Sequence, residues 1–129
     1  MTPIVSAVIP TLGRPSLGRA VCSVLDQTRP VAEVIVVADT DGPVPLPPDD
    51  RIVLLRTDFR RGPARCRQLG IDAARGSVIA LLDDDDEWYS TKMERQLDVV
   101  DDKAGAHWIV SSRMAVPVQA LGDGPGRVG

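Results

Sequence analysis

Four short apolar runs, separated by stretches of helical periodicity, restrict what this chain can fold into more than any other feature. The runs are IVSAVIP (4–10), VIVVA (34–38), RIVLL (51–55) and VIALL (78–82). Continuous runs of this length suit strands of a parallel sheet covered on both faces. Between them, Leu17, Ala20, Val21, Val24 and Leu25 recur at helical spacing, with Ser16 placed to cap. A second helix is predicted from Pro63, a residue favoured in the first turn, to Arg75, before Gly76. A third opens with the capping box Thr91-Lys92-Met93-Glu94 and carries Met93, Leu97 and Val100 on one face. Strand–helix alternation predicts the α/β class: an open, mostly parallel sheet with right-handed crossovers and helices on both faces.

The length of 129 residues suits one domain with a real core. Residues 1–116 carry the pattern. Within them, DTDGPVPLPPDD (39–50) reads as a Pro-rich loop and HWIVSSRMAV (107–116) as one more strand. Residues 117–129 form a Gly-rich tail, expected to be mobile. A net charge of −3 and an aromatic fraction of 3% argue against a nucleic-acid partner. No apolar run approaches the roughly 20 residues of a transmembrane segment. The N-terminus, MTPIVSAVIPT, lacks the basic region of a signal peptide, so a cytoplasmic location is expected. Cys22 and Cys66 lie far apart, each at an inward helical position, and read as buried thiols in a reducing compartment.

Ligands of open parallel sheets bind outside the carboxyl ends of the strands. Three runs here end in suitable polar groups: at Pro10-Thr11, at Asp39-Thr40-Asp41, and at Asp83-Asp84-Asp85-Asp86-Glu87. All three ends fall on one edge of the sheet. In the acidic run, each like-charge pair at about 5 Å and an effective dielectric of about 20 costs roughly 3 kcal/mol. Glu87 and Asp86 can be read as acids welcome at a helix start. The rest call for a divalent cation, and hard oxygen ligands suit Mn²⁺ or Mg²⁺. Strand-like alternation points Asp83 and Asp85 the same way. The segment RRGPARCR (60–67) sets Arg60, Arg61, Arg65 and Arg67 around a Gly-Pro helix start. Singly each reads as a solvated helix end; as a group they suit a diphosphate.

Two features carry no chemistry. GPGRVG (124–129) matches G-x-G-x-x-G by letter, but the dinucleotide motif must follow a strand and open a helix. His107, the single histidine, has no serine or cysteine visibly placed to use it.

The ordered segments VSAVIPTLGRPSLGRAVCSVLDQT, EVIVVADTDG and RGPARCRQLGIDAARGSVIALLDDDDEW resemble family 2 glycosyltransferases of the GT-A fold, collinearly from about residue 4 to 101. That resemblance implies a Rossmann-like GT-A sheet and an inverting transferase using a nucleotide-diphosphate sugar donor and Mn²⁺ or Mg²⁺. The acceptor is an unidentified glycan, lipid or small molecule. By the same resemblance Pro10, Thr11, Asp39, Arg67 and Asp84 bind the donor nucleotide. Asp83 and Asp85 fill the metal-binding D-x-D positions, Asp85 being the better placed as a direct ligand. Two departures stand out. Ala38 replaces the first of two adjacent acids, and the acceptor half with its catalytic base is not visible, so the chain reads as a truncated donor half. Efficient transfer by these 129 residues alone is therefore not expected. Alternatives are a non-catalytic nucleotide-sugar- or metal-binding module that needs a partner, and a nucleotidyltransferase. The latter usually carries a lysine after its first strand, which PTLGRPSLGR lacks.

Overall fold

The computed structural model describes residues 3–100, 108–110 and 115–117. Its elements run β1 (Val5–Thr11), α1 (Leu17–Leu25), β2 (Glu33–Ala38), β3 (Ile52–Arg56), α2 (Pro63–Ala73), β4 (Val78–Leu81), α3 (Lys92–Val100), β5 (Trp108–Val110) and β6 (Ala115–Pro117). They form one sheet in the order β3-β2-β1-β4-β5-β6. Every pairing is parallel except β5 with β6, which is antiparallel. Two short strands thus stand where one was expected across 107–116. His107 and residues 118–129 lie outside the described residues.

Alternation along the central strands divides the core in two. Val5, Ala7 and Ile9 of β1, Val34 and Val36 of β2, and Val78 and Ala80 of β4 pack with Leu17, Val21, Val24, Met93 and Leu97. The opposite residues, Val8, Ile35, Val37, Ile79 and Leu81, pack with Cys66 and Leu69 of α2. Helices therefore cover both faces, as the apolar runs require. β3 is the exception. It is an edge strand, with Val53 and Leu54 about 40% exposed.

Local departures from the sequence pattern have visible causes. Cys22 is exposed, because one residue along a helix turns a side chain about 100° and Val21 takes the inward position. Cys66 is buried as expected. The Ser16 side chain does not cap α1; its hydroxyl donates instead to the Asp84 carbonyl at 2.7 Å. α2 stops at Ala73, short of Arg75, where other acceptors claim the backbone. Arg75 N–H donates to Glu33 Oε2 at 2.7 Å and Gly76 N–H to Ser6 Oγ at 2.8 Å.

Gly70 is what lets α2 lie close on the sheet. A Cβ there would stand 2.3 Å from Val8 Cγ1 and 3.3 Å from Val37 Cγ2, both on fully buried strand residues. In α1, a Cβ on Gly18 would meet nothing within 4 Å. The two Gly→Ala substitutions should have opposite signs in urea denaturation. Gly70→Ala should destabilise by about 1–3 kcal/mol through overpacking. Gly18→Ala should stabilise by about 0.5–1 kcal/mol through helix propensity.

Candidate functional site

β1 has β2 on one side and β4 on the other, so the chain reverses its winding between β1 and β4. Such a switch point opens a crevice at the strands' carboxyl ends. A cavity of about 440 Å³ occupies it here, lined by the end of β1, Asp39 after β2, the acidic run after β4 and the start of α2. Pro10, Thr11, Asp39, Arg67, Asp83, Asp84 and Asp85 all line this one cavity.

The acids are not a continued strand. β4 ends at Leu81, and Asp86 N–H donates to the Asp83 carbonyl at 3.1 Å, closing a tight turn. Asp84 points inward, 7% exposed, and accepts the Thr11 hydroxyl at 2.7 Å. Asp83 and Asp85 point out, as alternation predicted, but the turn also brings Asp86 round to join them. One carboxylate oxygen from each of Asp83, Asp85 and Asp86 lies within 4.8 Å of the others. The strand-based reading had left Asp86 out of this group; only the turn reveals it.

Asp39 is 4% exposed and holds the opposite wall. Its Oδ1 accepts from Thr57 Oγ1 at 2.6 Å and Arg61 N–H at 2.8 Å, its Oδ2 from Gly62 N–H at 2.8 Å. These hydrogen bonds, led by that from Thr57, hold its carboxyl below the usual range. They also hold a strained loop, in which Phe59 (φ 65°) and Arg60 (φ 58°) are both left-handed. Each such residue costs about 1–3 kcal/mol and persists only where its surroundings fix it. A carboxylate offers about four acceptor sites, and Asp39 uses three of them here.

The basic segment divides by role. Arg60 and Arg67 line the cavity, whereas Arg61 pairs with Asp58, whose carboxyl it lowers to about 2. Arg67 Nη2 lies 2.9 Å from Asp83 Oδ1. Arg14, which sequence reasoning passed over, lies 3.8 Å from Asp84 Oδ1 and 3.6 Å from Asp85 Oδ2. Leu12, also passed over, adds a half-exposed apolar wall beside Pro10. Burial pushes the Cys66 thiol up, so this cavity cysteine is a packing group rather than a nucleophile.

The family model described as Glycosyl transferase family 2 matches residues 6–117, most of the chain. The chain belongs to glycosyl transferase family 2. It is 39% identical over 99 residues to the succinoglycan biosynthesis protein ExoO of Rhizobium meliloti, covering 73% of this chain and 28% of that protein. It is 32% identical over 103 residues to the Escherichia coli UDP-Glc:alpha-D-GlcNAc-diphosphoundecaprenol beta-1,3-glucosyltransferase WfgD, covering 75% of this chain and 41% of that one. Among solved structures it shares its fold with S. aureus TarS at a TM-score of 0.66 and 18% identity, over 77% of this chain and 32% of that one. The chain therefore spans less than half the length of these relatives.

Family 2 glycosyltransferases commonly use a divalent cation, and the donor set here fits one. Asp83, Asp85 and Asp86 offer hard carboxylate oxygens on exposed side chains. Two oxygens on opposite sides of one Mg²⁺ lie about 4.2 Å apart, from Mg–O bonds of about 2.1 Å. The three oxygens, all within 4.8 Å of one another, lie close enough together to share one such ion.

The lowered Asp39 pKa gives a pH prediction for this family 2 chain. Asp39 contributes stability above its ordinary pKa of 3.8 and loses it as pH falls through its lower native value. The melting temperature of Asp39→Asn should lie below wild type by a constant gap from about pH 5 upward. That gap should close progressively below 3.8. Thermal denaturation across pH measures it; a pH-independent gap would mean the charge on Asp39 is not what holds the loop.

Proposed function

We propose that this chain is the donor-binding half of an inverting glycosyltransferase, which takes a nucleotide-diphosphate sugar together with Mn²⁺ or Mg²⁺. The observation that carries this reading is the charge balance of the cavity. Carboxylates of Asp39, Asp83, Asp84 and Asp85 line it together with the guanidiniums of Arg14, Arg60 and Arg67, and Asp86 adjoins Asp83 and Asp85 at its edge. The excess is two negative charges, and a diphosphate would add more. An anionic donor enters such a site with a dication, which neutralises the excess it would otherwise meet.

In this reading Asp83, Asp85 and Asp86 hold the cation, and the sequence-based choice of Asp83 and Asp85 is extended by one residue. When bound, the cation supplies Lewis-acid stabilisation to the departing diphosphate. Arg67 and Arg60, near the start of α2, turn their donors toward phosphate oxygens. Asp39 offers its remaining acceptor site to an N–H or O–H of the nucleoside, and Leu12 with Pro10 forms an apolar wall for it. Asp84 contributes from below by fixing the turn through Thr11. The acceptor and the base that deprotonates it are assigned to no described residue. A cytoplasmic site of action agrees with a soluble nucleotide donor, and among the described residues no helix is long and apolar enough to cross a membrane.

Calorimetry of nucleoside diphosphates with and without Mn²⁺ tests the reading. Mn²⁺ should strengthen binding to wild type, and Asp85→Ala should abolish at least about tenfold of that gain, since even partners behind metal ligands cost 10–100-fold. Equal metal-dependent affinity in Asp85→Ala would remove the acidic turn from the donor site.

A further inference from the structure

The two arginines that neutralise the acidic turn are held unequally. Arg67 makes a 2.9 Å contact with Asp83 from a side chain that is 28% exposed. Arg14 is 54% exposed, and its contacts with Asp84 and Asp85 at 3.8 and 3.6 Å exceed the range of charge-assisted hydrogen bonds. It follows Gly13, a left-handed residue (φ 84°), on the loop leading from β1 to α1. Asp84 is held independently by its 2.7 Å bond from Thr11. What Arg14 gives the turn is charge and little geometry.

A dication at Asp83, Asp85 and Asp86 would replace that charge and repel the guanidinium. The space beside Arg14 is the same cavity that Arg60 and Arg67 line. We propose that Arg14 is an exchangeable counter-ion: it neutralises Asp84 and Asp85 in the empty site and turns to the donor's diphosphate once the cation is bound. This rests on the cation-dependent donor reading above. The exchange couples the two ligands. Cation binding frees a planar, bidentate donor for phosphate oxygens, and by linkage the diphosphate tightens the cation by the same factor. Arg14 is thus a positioning residue for the donor.

The test is calorimetry on the 129-residue chain, as wild type, Arg14→Gln and Arg14→Lys. The ligands are Mn²⁺ alone, then UDP, GDP and dTDP, each with and without Mn²⁺. Losing two long, weak pairs made by an exposed arginine should let Arg14→Gln bind Mn²⁺ alone about three- to tenfold more tightly than wild type. Its affinity for nucleotide with Mn²⁺ should fall about tenfold, the loss of a charge-assisted phosphate contact, and by more than its affinity without Mn²⁺ falls. Arg14→Lys, which keeps the charge, should bind Mn²⁺ like wild type. Arg14→Gln binding Mn²⁺ no more tightly than wild type, or gaining as much nucleotide affinity from Mn²⁺ as wild type does, would overturn the exchange alone. Parallel losses in both ligands and in melting temperature would do the same, marking a structural arginine. Wild type binding none of the nucleotides more tightly with Mn²⁺ would overturn the donor reading, and the exchange with it.

Discussion

The hydrogen bond from Thr11 to Asp84 sets the geometry of everything at this sheet edge. It joins the ends of β1 and β4, the two strands between which the winding reverses. Asp84 is one of five consecutive acids, and it alone is buried. A buried carboxylate without a partner is far more expensive than an exposed one, so the Thr11 hydroxyl fixes which acid turns inward. With Asp84 inward, its neighbours Asp83 and Asp85 stand exposed and line the cavity. Ser16 reinforces the choice by donating to the Asp84 carbonyl. Its missing side-chain cap on α1 and the fan of acids are therefore two ends of one arrangement.

Asp39 plays the matching part on the other wall, with backbone donors in place of a hydroxyl. Arg61 and Gly62 N–H groups converge on it just before Pro63 opens α2. The carboxylate thereby ties the end of β2 to the start of α2 across the left-handed pair Phe59 and Arg60. That placement puts Arg67, one turn into the helix, against Asp83. Structural anchoring and ligand contact are not rival roles for Asp39. Three of its acceptor sites hold the loop, and the residue itself lines the cavity.

Much of this was legible in the sequence because burial leaves a periodic trace. The runs of β1, β2 and β4 announced a sheet covered on both sides, and the positions of Val8 and Ile9 on opposite faces follow from period two. β3 misled because RIVLL is as apolar as the others; nothing local distinguishes an edge strand from a central one. Cys22 misled because a neighbour on a helix differs by only about 100°, and an apolar stripe does not fix its own border. Convergence of Pro10, Thr11, Asp39 and the acids at one edge followed from topology alone. Asp86 and Arg14 did not, since a turn's geometry and the reach of a loop arginine have no period to read. Gln27 was invisible for the same reason. Its side chain donates to the Ser23 and Tyr89 carbonyls and accepts Met93 N–H, the last two contacts spanning more than 60 residues of sequence.

Those Gln27 contacts explain how so acidic a turn stays in place. On one side Leu82 N–H is tied to the Val8 carbonyl, continuing the sheet. On the other, Trp88 N–H donates to Ser23 Oγ at 3.1 Å, and Thr28 N–H donates to the Ser90 carbonyl at 2.9 Å. Gln27 then satisfies an N–H in the first turn of α3 that has no partner within the helix. Only residues 83–87 lie between these two clamps, so the carboxylates fan out from a short span fixed at both ends. A free chain would relieve their repulsion by spreading. Here the sheet and α1 prevent it, and the repulsion is left for counter-ions to relieve. The clamps also limit the conformational freedom a cation would have to freeze, which is the entropic side of pre-organisation. The same short span that makes the turn electrostatically costly makes it a ready ligand set.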